Sequence, residues 1–101
     1  MTTVVFVLLP GVHLLDLAGP AQAFFTAGDF GHSYDLHYVS GAVSGTPGPD
    51  AGVVASAQGL PLVAGTDWPA LGPGDLVVVP GWRVGNDRTA WPRLSTVTWS
   101  A

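Results

Sequence analysis

Val4-Val5-Phe6-Val7-Leu8-Leu9, closed by Pro10-Gly11, is the stretch on which the fold turns. Its six apolar residues are continuous rather than alternating, which is the pattern of a strand buried on both faces in a parallel sheet. The next segment changes period. Leu14, Leu17, Ala18, Ala21, Phe24, Phe25 and Gly28 recur at spacings of three and four, one stripe of an α-helix. Asp16 is placed to cap this helix, Pro20 fits a first turn that needs no N–H, and Gly28 and Gly31 bracket its end. Tyr34–Ser40 then alternates, with Tyr34, Leu36 and Tyr38 on one face and Asp35 and His37 on the other. Strand, helix, strand in this order predicts a right-handed parallel crossover.

Farther along, residues 41–49 are mostly Gly, Ser and Pro and read as a loop. Val53–Ala57 and Leu60–Val63, around Gly59, predict a small hairpin or a pair of edge strands. Asp67-Trp68-Pro69-Ala70-Leu71 predicts one helical turn capped by Asp67. Asp75-Leu76-Val77-Val78-Val79, closed by Pro80-Gly81-Trp82, repeats the signal of a fully buried strand. A further helix is expected to start near Asn86-Asp87, with Trp91 and Leu94 as its apolar side. Ser95–Ala101 is β-branched and polar without a stripe, so residues 1–94 form the domain portion and 95–101 an atypical tail.

Composition excludes several function classes. The 101 residues are the length of one small domain, 48% hydrophobic and only 10% charged, which excludes a disordered acidic chain. The net charge is −4, and the three arginines (Arg83, Arg88 and Arg93) fall at intervals of five, off any single helical face. Without a basic stripe, direct binding of nucleic acid is not expected. Zero cysteines exclude a disulfide scaffold, a Cys-based zinc site and a cysteine nucleophile within the chain. The apolar run at the start is far shorter than the ~20 residues a membrane span needs, and Met1-Thr2-Thr3 carries no basic start. A cytoplasmic location with no membrane contact is the expectation.

Two motifs carry a resemblance to a known family. The first is the strand at Val4–Leu9 followed by Pro10-Gly11-Val12-His13-Leu14-Leu15-Asp16-Leu17-Ala18-Gly19-Pro20 and an Ala/Phe-rich helix. The second is Asp75-Leu76-Val77-Val78-Val79-Pro80-Gly81, similar to a strand that ends in a Pro-Gly-Gly turn. Together they resemble the ThiJ/PfpI family, and the Leu-Asp-Leu-Ala-Gly-Pro run looks most like its GlxA branch. Those proteins are transcription regulators in which a ThiJ/PfpI domain precedes an AraC-type helix-turn-helix domain. Isonitrile hydratases are the near enzymatic relatives.

The resemblance implies an α/β fold: a partial flavodoxin-like (class I glutamine amidotransferase-like) three-layer sandwich with a mainly parallel sheet. It implies a site at the carboxyl ends of the strands. In the enzymes a cysteine on a strand-to-helix elbow follows the Pro-Gly-Gly turn, and an acidic side chain from the first loop–helix junction contacts it. Asp16 matches the acidic position, while Gly81 and Trp82 match the Gly-Gly turn, whose backbone N–H groups can face an oxyanion. Trp82 replaces the second glycine, and no cysteine elbow is present. The expected ligand-binding residues are therefore Asp16, Gly81 and Trp82, with no catalytic residue, metal or cofactor.

On this reading the chain is about half of the parent domain, cut before the elbow, and not catalytic by itself. The expected partners are a second copy of the chain and a small-molecule effector, with DNA reached only through a downstream domain absent here. The alternative is a piece of an isonitrile hydratase or amidase-like enzyme whose cysteine lies outside this sequence. A truncated or frame-shifted product without activity is the third reading. With half of the covering helices missing, exposed apolar surface and self-association are expected.

Plainer readings stand beside these. Asp16 also suits a helix cap, and His13, three residues earlier, suits a hydrogen-bonded loop histidine better than a metal ligand. Glycines 11, 19, 81 and 85 match no phosphate-loop pattern. Phe24, Phe25, Trp68 and Trp82 are expected in the core rather than on a base-stacking platform.

Overall fold

The structure is a computed structural model and describes residues 1–41 and 52–83. The expected loop beyond Gly41, the helix start at Asn86-Asp87, Arg88, Arg93 and the tail from Ser95 lie outside the described residues. Among the described residues the chain is mixed α/β. Strand β1 (Thr2–Leu8) leads to helix α1 (Leu14–Ala27), a short 3₁₀ turn (Gly28–Phe30) and strand β2 (Tyr34–Ser40). Strands β3 (Val53–Ala55) and β4 (Pro61–Val63) form a hairpin, and β5 (Leu76–Val78) completes the set.

The continuous apolar run does form the central strand. β1 lies between β2 and β5, parallel to both, with Val4 opposite Leu36 on one side and Leu76 on the other. Val4, Val5 and Phe6 are fully buried and Leu8 nearly so. Alternation puts Val4, Phe6 and Leu8 on one face, where α1 packs through Leu17, Ala21 and Phe24. Burial of such side chains contributes about 1.5–3 kcal/mol each. Rings add specificity: Phe6 stacks on Tyr38 at 5.3 Å and meets Phe24 edge-on at 6.2 Å, and Phe24 meets Tyr34 edge-on at 5.0 Å. The other face carries Val5 and Val39, both buried, and the exposed hydrogen bond between His37 Nε2 and Asp35 Oδ2 at 2.8 Å.

Several sequence expectations need correction. Helix α1 begins at Leu14 with His13 as its N-cap residue, so Asp16 lies inside the first turn and makes no capping bond. Pro20 therefore falls within the helix rather than in its first turn, and the Asp16 carbonyl four residues earlier loses its N–H donor. Phe25 is 72% exposed because the buried stripe is narrower than the apolar one: Leu17, Ala21 and Phe24 face the sheet, and Phe25 turns past it. Trp68 is 51% exposed, and no helical turn forms at Asp67–Leu71. Pro69 disfavours the helical region for Trp68 and supplies no N–H, which outweighs the capping potential of Asp67. β5 is half-buried rather than fully buried and shorter than Asp75–Val79. The hairpin is as expected, with Val54 opposite Leu62.

Beyond β1 the chain makes one more sheet-like step. Gly11 N–H donates to the Ala55 carbonyl (2.8 Å), and Ala57 N–H donates to the Val12 carbonyl (2.8 Å). On the opposite side His13 N–H donates to the Gly81 carbonyl (2.8 Å), and Arg83 N–H donates to the Gly11 carbonyl (2.7 Å). Residues 11–13 are thus clamped between the hairpin and the exit of β5, and the Val12 side chain is fully buried.

Gly11 has φ +84°, and a Cβ there would lie 2.7 Å from the Arg83 carbonyl oxygen. Gly59 has φ +86° but open space around it. Both Gly→Ala changes incur the left-handed backbone cost of about 1–2 kcal/mol. Gly11→Ala is expected to cost about 1–3 kcal/mol more than Gly59→Ala, because the clamp must also shift. Denaturant midpoints of the two variants check this, and equal midpoints would contradict it.

At the other end of the sheet, Asp75 accepts hydrogen bonds from Thr3 N–H (2.9 Å) and Gly72 N–H (2.8 Å). The Gly72 bond foremost, and then the Thr3 bond, hold its carboxyl below the ordinary value of 3.8. A carboxyl lowered on folding contributes stability that is present above its unfolded value and lost as pH falls through the folded one. Acid unfolding below about pH 4 should therefore be shallower in Asp75→Asn, which has no charge to lose, whereas its stability at pH 7 should be lower. Circular dichroism across pH 2–7 measures both differences.

Candidate functional site

The carboxyl ends of β1 and β5 lie at the same end of the sheet, and the clamp at residues 11–13 brings three segments together there. Asp16 comes from the first turn of α1, Gly81 and Trp82 from the exit of β5, and Gln58 from the hairpin turn. A shallow, open cleft of about 540 Å³ is lined by His13, Leu14, Leu15, Asp16 and Gln58.

Asp16 and Gly81, 65 positions apart in the chain, touch. A Cβ on Gly81 would lie 2.5 Å from Asp16 Oδ2, so the carboxylate occupies the space that a side chain at position 81 would need. A side chain at position 81 would push aside the Asp16 carboxylate, the free end of an exposed side chain, and the Gly81 backbone is not left-handed. Asp16 is exposed and has no hydrogen-bond partner among the described residues. Its charge sits at the positive end of α1, where a carboxylate is stabilised by about 0.3–1 kcal/mol.

Trp82 is half-buried and its backbone bridges Val12 in antiparallel fashion. Its indole Nε1 is buried without an acceptor among the described residues.

His13 and Gln58 were not among the expected site residues. Gln58 replaces the cap that Asp16 does not provide: Leu14 N–H donates to Gln58 Oε1 at 3.1 Å, and Gln58 Nε2 lies 3.4 Å from His13 Nδ1. His13 is thus a hydrogen-bonded loop histidine, as its sequence context suggested. Nothing local marks Gln58, because its partners are 44 and 45 positions away. Its turn is set by Ser56, a buried residue whose Oγ accepts from Leu60 N–H at 2.9 Å.

The contact of Asp16 with Gly81 predicts coupled energetics. Gly81→Ala should destabilise the chain, and Asp16→Ala in the same molecule should relieve part of that cost. Because the carboxylate can move aside, a double-mutant cycle is expected to show a coupling of about 0.5 kcal/mol, the low end of the range for side chains in contact. Additive effects would mean that the two positions do not meet.

A search of protein-family models finds no match, and no solved structure matches. The chain is 40% identical over 78 residues to a Streptomyces lividans protein described as "Uncharacterized protein in cpoL 5'region". The similarity covers 77% of this chain and 50% of that protein, so the chain spans about half the length of the curated relative it matches.

Proposed function

We propose that the chain is the amino-terminal portion of the ligand-sensing and dimerisation domain of a GlxA-like, AraC-type transcription regulator, a ThiJ/PfpI-like domain of flavodoxin-like architecture. The observation that carries this reading is the Asp16 carboxylate seated against Gly81 at the carboxyl end of a parallel sheet. Ligands of open α/β sheets bind at that end. In this reading Asp16, which lines the cleft with His13 and Gln58, offers a charged acceptor to a small effector, with Gly81 and Trp82 adjoining it. The chain has no cysteine and contributes binding rather than covalent chemistry.

DNA is read by a separate downstream domain, in keeping with the acidic charge of this segment. Leu15, Phe25 and Phe30 are 80%, 72% and 77% exposed, and this apolar surface supports association with a second copy.

Translation of the coding sequence beyond Ala101 separates this reading from the enzymatic one. A helix-turn-helix extension is expected. A cysteine on a strand-to-helix elbow followed by a stop would instead identify a hydratase or amidase-like enzyme. In the full-length regulator, Asp16→Asn is expected to weaken the effector response about ten- to a hundredfold, the loss of one charge-assisted hydrogen bond. An unchanged dose–response curve would remove Asp16 from the site.

A further inference from the structure

We propose that Gln58 positions His13 as a hydrogen-bond donor beside the Asp16 carboxylate, and that the cleft they line selects a neutral primary carboxamide. This rests on the ligand-site reading above and deepens it. The orientation of Gln58 follows from its partner. Leu14 N–H can only donate, so the atom it meets at 3.1 Å is the amide oxygen. The amide nitrogen is then the atom 3.4 Å from His13 Nδ1. That nitrogen can only donate as well, so Nδ1 must present a lone pair. The neutral ring therefore carries its proton on Nε2.

Gln58 is held for this task by the hairpin turn, through Ala57 N–H on the Val12 carbonyl and Leu60 N–H on Ser56 Oγ. His13 Nε2 and the Asp16 carboxylate have no partner among the described residues, and both side chains line the same cleft. The cleft thus offers an N–H donor beside a carboxylate acceptor. A primary carboxamide answers both, its oxygen accepting from Nε2 and its NH₂ donating to Asp16. A carboxylate would meet the charge of Asp16, and an ammonium would have no acceptor for the His13 proton. Leu14 and Leu15 supply an apolar wall for the alkyl part.

The test uses the whole chain, ¹⁵N-labelled, and long-range ¹H–¹⁵N spectra of the histidine rings at neutral pH. Without any ligand, His13 is expected to show a bare Nδ1 and a protonated Nε2. Gln58→Glu keeps an oxygen for Leu14 N–H but places a second oxygen on Nδ1, so Nδ1 should then carry a proton. Unchanged backbone amides away from the cleft verify that this variant is folded.

Propionamide, propionate and propylammonium are then titrated separately. Propionamide should shift the His13 Nε2 resonance, with affinity at least about tenfold weaker in Gln58→Glu. The proposal is overturned by a His13 ring that averages both tautomers and ignores Gln58→Glu. It is equally overturned if propionamide leaves the ring unmoved, or if propionate or propylammonium perturbs the cleft as strongly. The ligand-free tautomer separates the two levels of inference. A wrong tautomer beside an Asp16-dependent effector response sinks the role of Gln58 alone. The right tautomer beside an Asp16-independent response sinks the site.

Discussion

The three backbone units at Gly11, Val12 and His13 hold the molecule together at its functional end. They accept and donate on both sides, to Ala55 and Ala57 of the hairpin and to Gly81 and Arg83 after β5. Buried backbone polar groups must be paired, and here the pairing fixes how three segments meet beyond the end of the sheet. The parallel sheet supplies the base of this arrangement, since β1 brings the chain to the junction in register with both neighbours. Asp16, Gly81 and Gln58 inherit their positions from the clamp. None of them is placed by its own local sequence.

How much of this was legible depended on whether the deciding force was local. The strands expected at Val4–Leu9, Tyr34–Ser40 and Asp75–Val79 stand at Thr2–Leu8, Tyr34–Ser40 and Leu76–Val78, and they and the hairpin around Gly59 could be read because period and turn chemistry act within a few residues. The start of α1 could not. Asp16 is a good capping residue by type, but the backbone of His13 is committed to Gly81 and the first helical N–H is taken by Gln58, both from distant segments. The turn expected at Asp67 failed for the opposite reason, a local veto by Pro69 that a capping signal does not overcome. Phe25 shows a third case: an apolar residue on the correct stripe ends outside because the described sheet reaches only Leu17, Ala21 and Phe24 of that stripe.

The site was legible in part. Asp16 and Gly81, both singled out in the sequence, stand together, and Trp82 adjoins them through the bridge to Val12. Gln58 carried no sequence signal, because a lone polar residue in a hairpin turn is ordinarily solvated. Its importance comes from a helix end that would otherwise lack an acceptor for Leu14 N–H. Sites assembled at strand ends by several loops are poorly visible in one dimension for this reason. Their chemistry is shared out among segments that only the sheet reunites.

The staple between Asp75 and Thr3, 72 positions apart, also sets an order of assembly. β1 and β2 are joined through α1 alone and can pair as soon as residue 40 is available. β5 arrives some seventy residues after β1 and must dock in parallel against an edge that has waited for it, a slow kind of contact to form. Until then the fully buried valines of β1 have one wall missing. A ribosome releasing this chain therefore holds, for about forty residues of synthesis, a βαβ unit with an open flank. Agents that cover exposed strand edges would act in that interval rather than on the finished sheet.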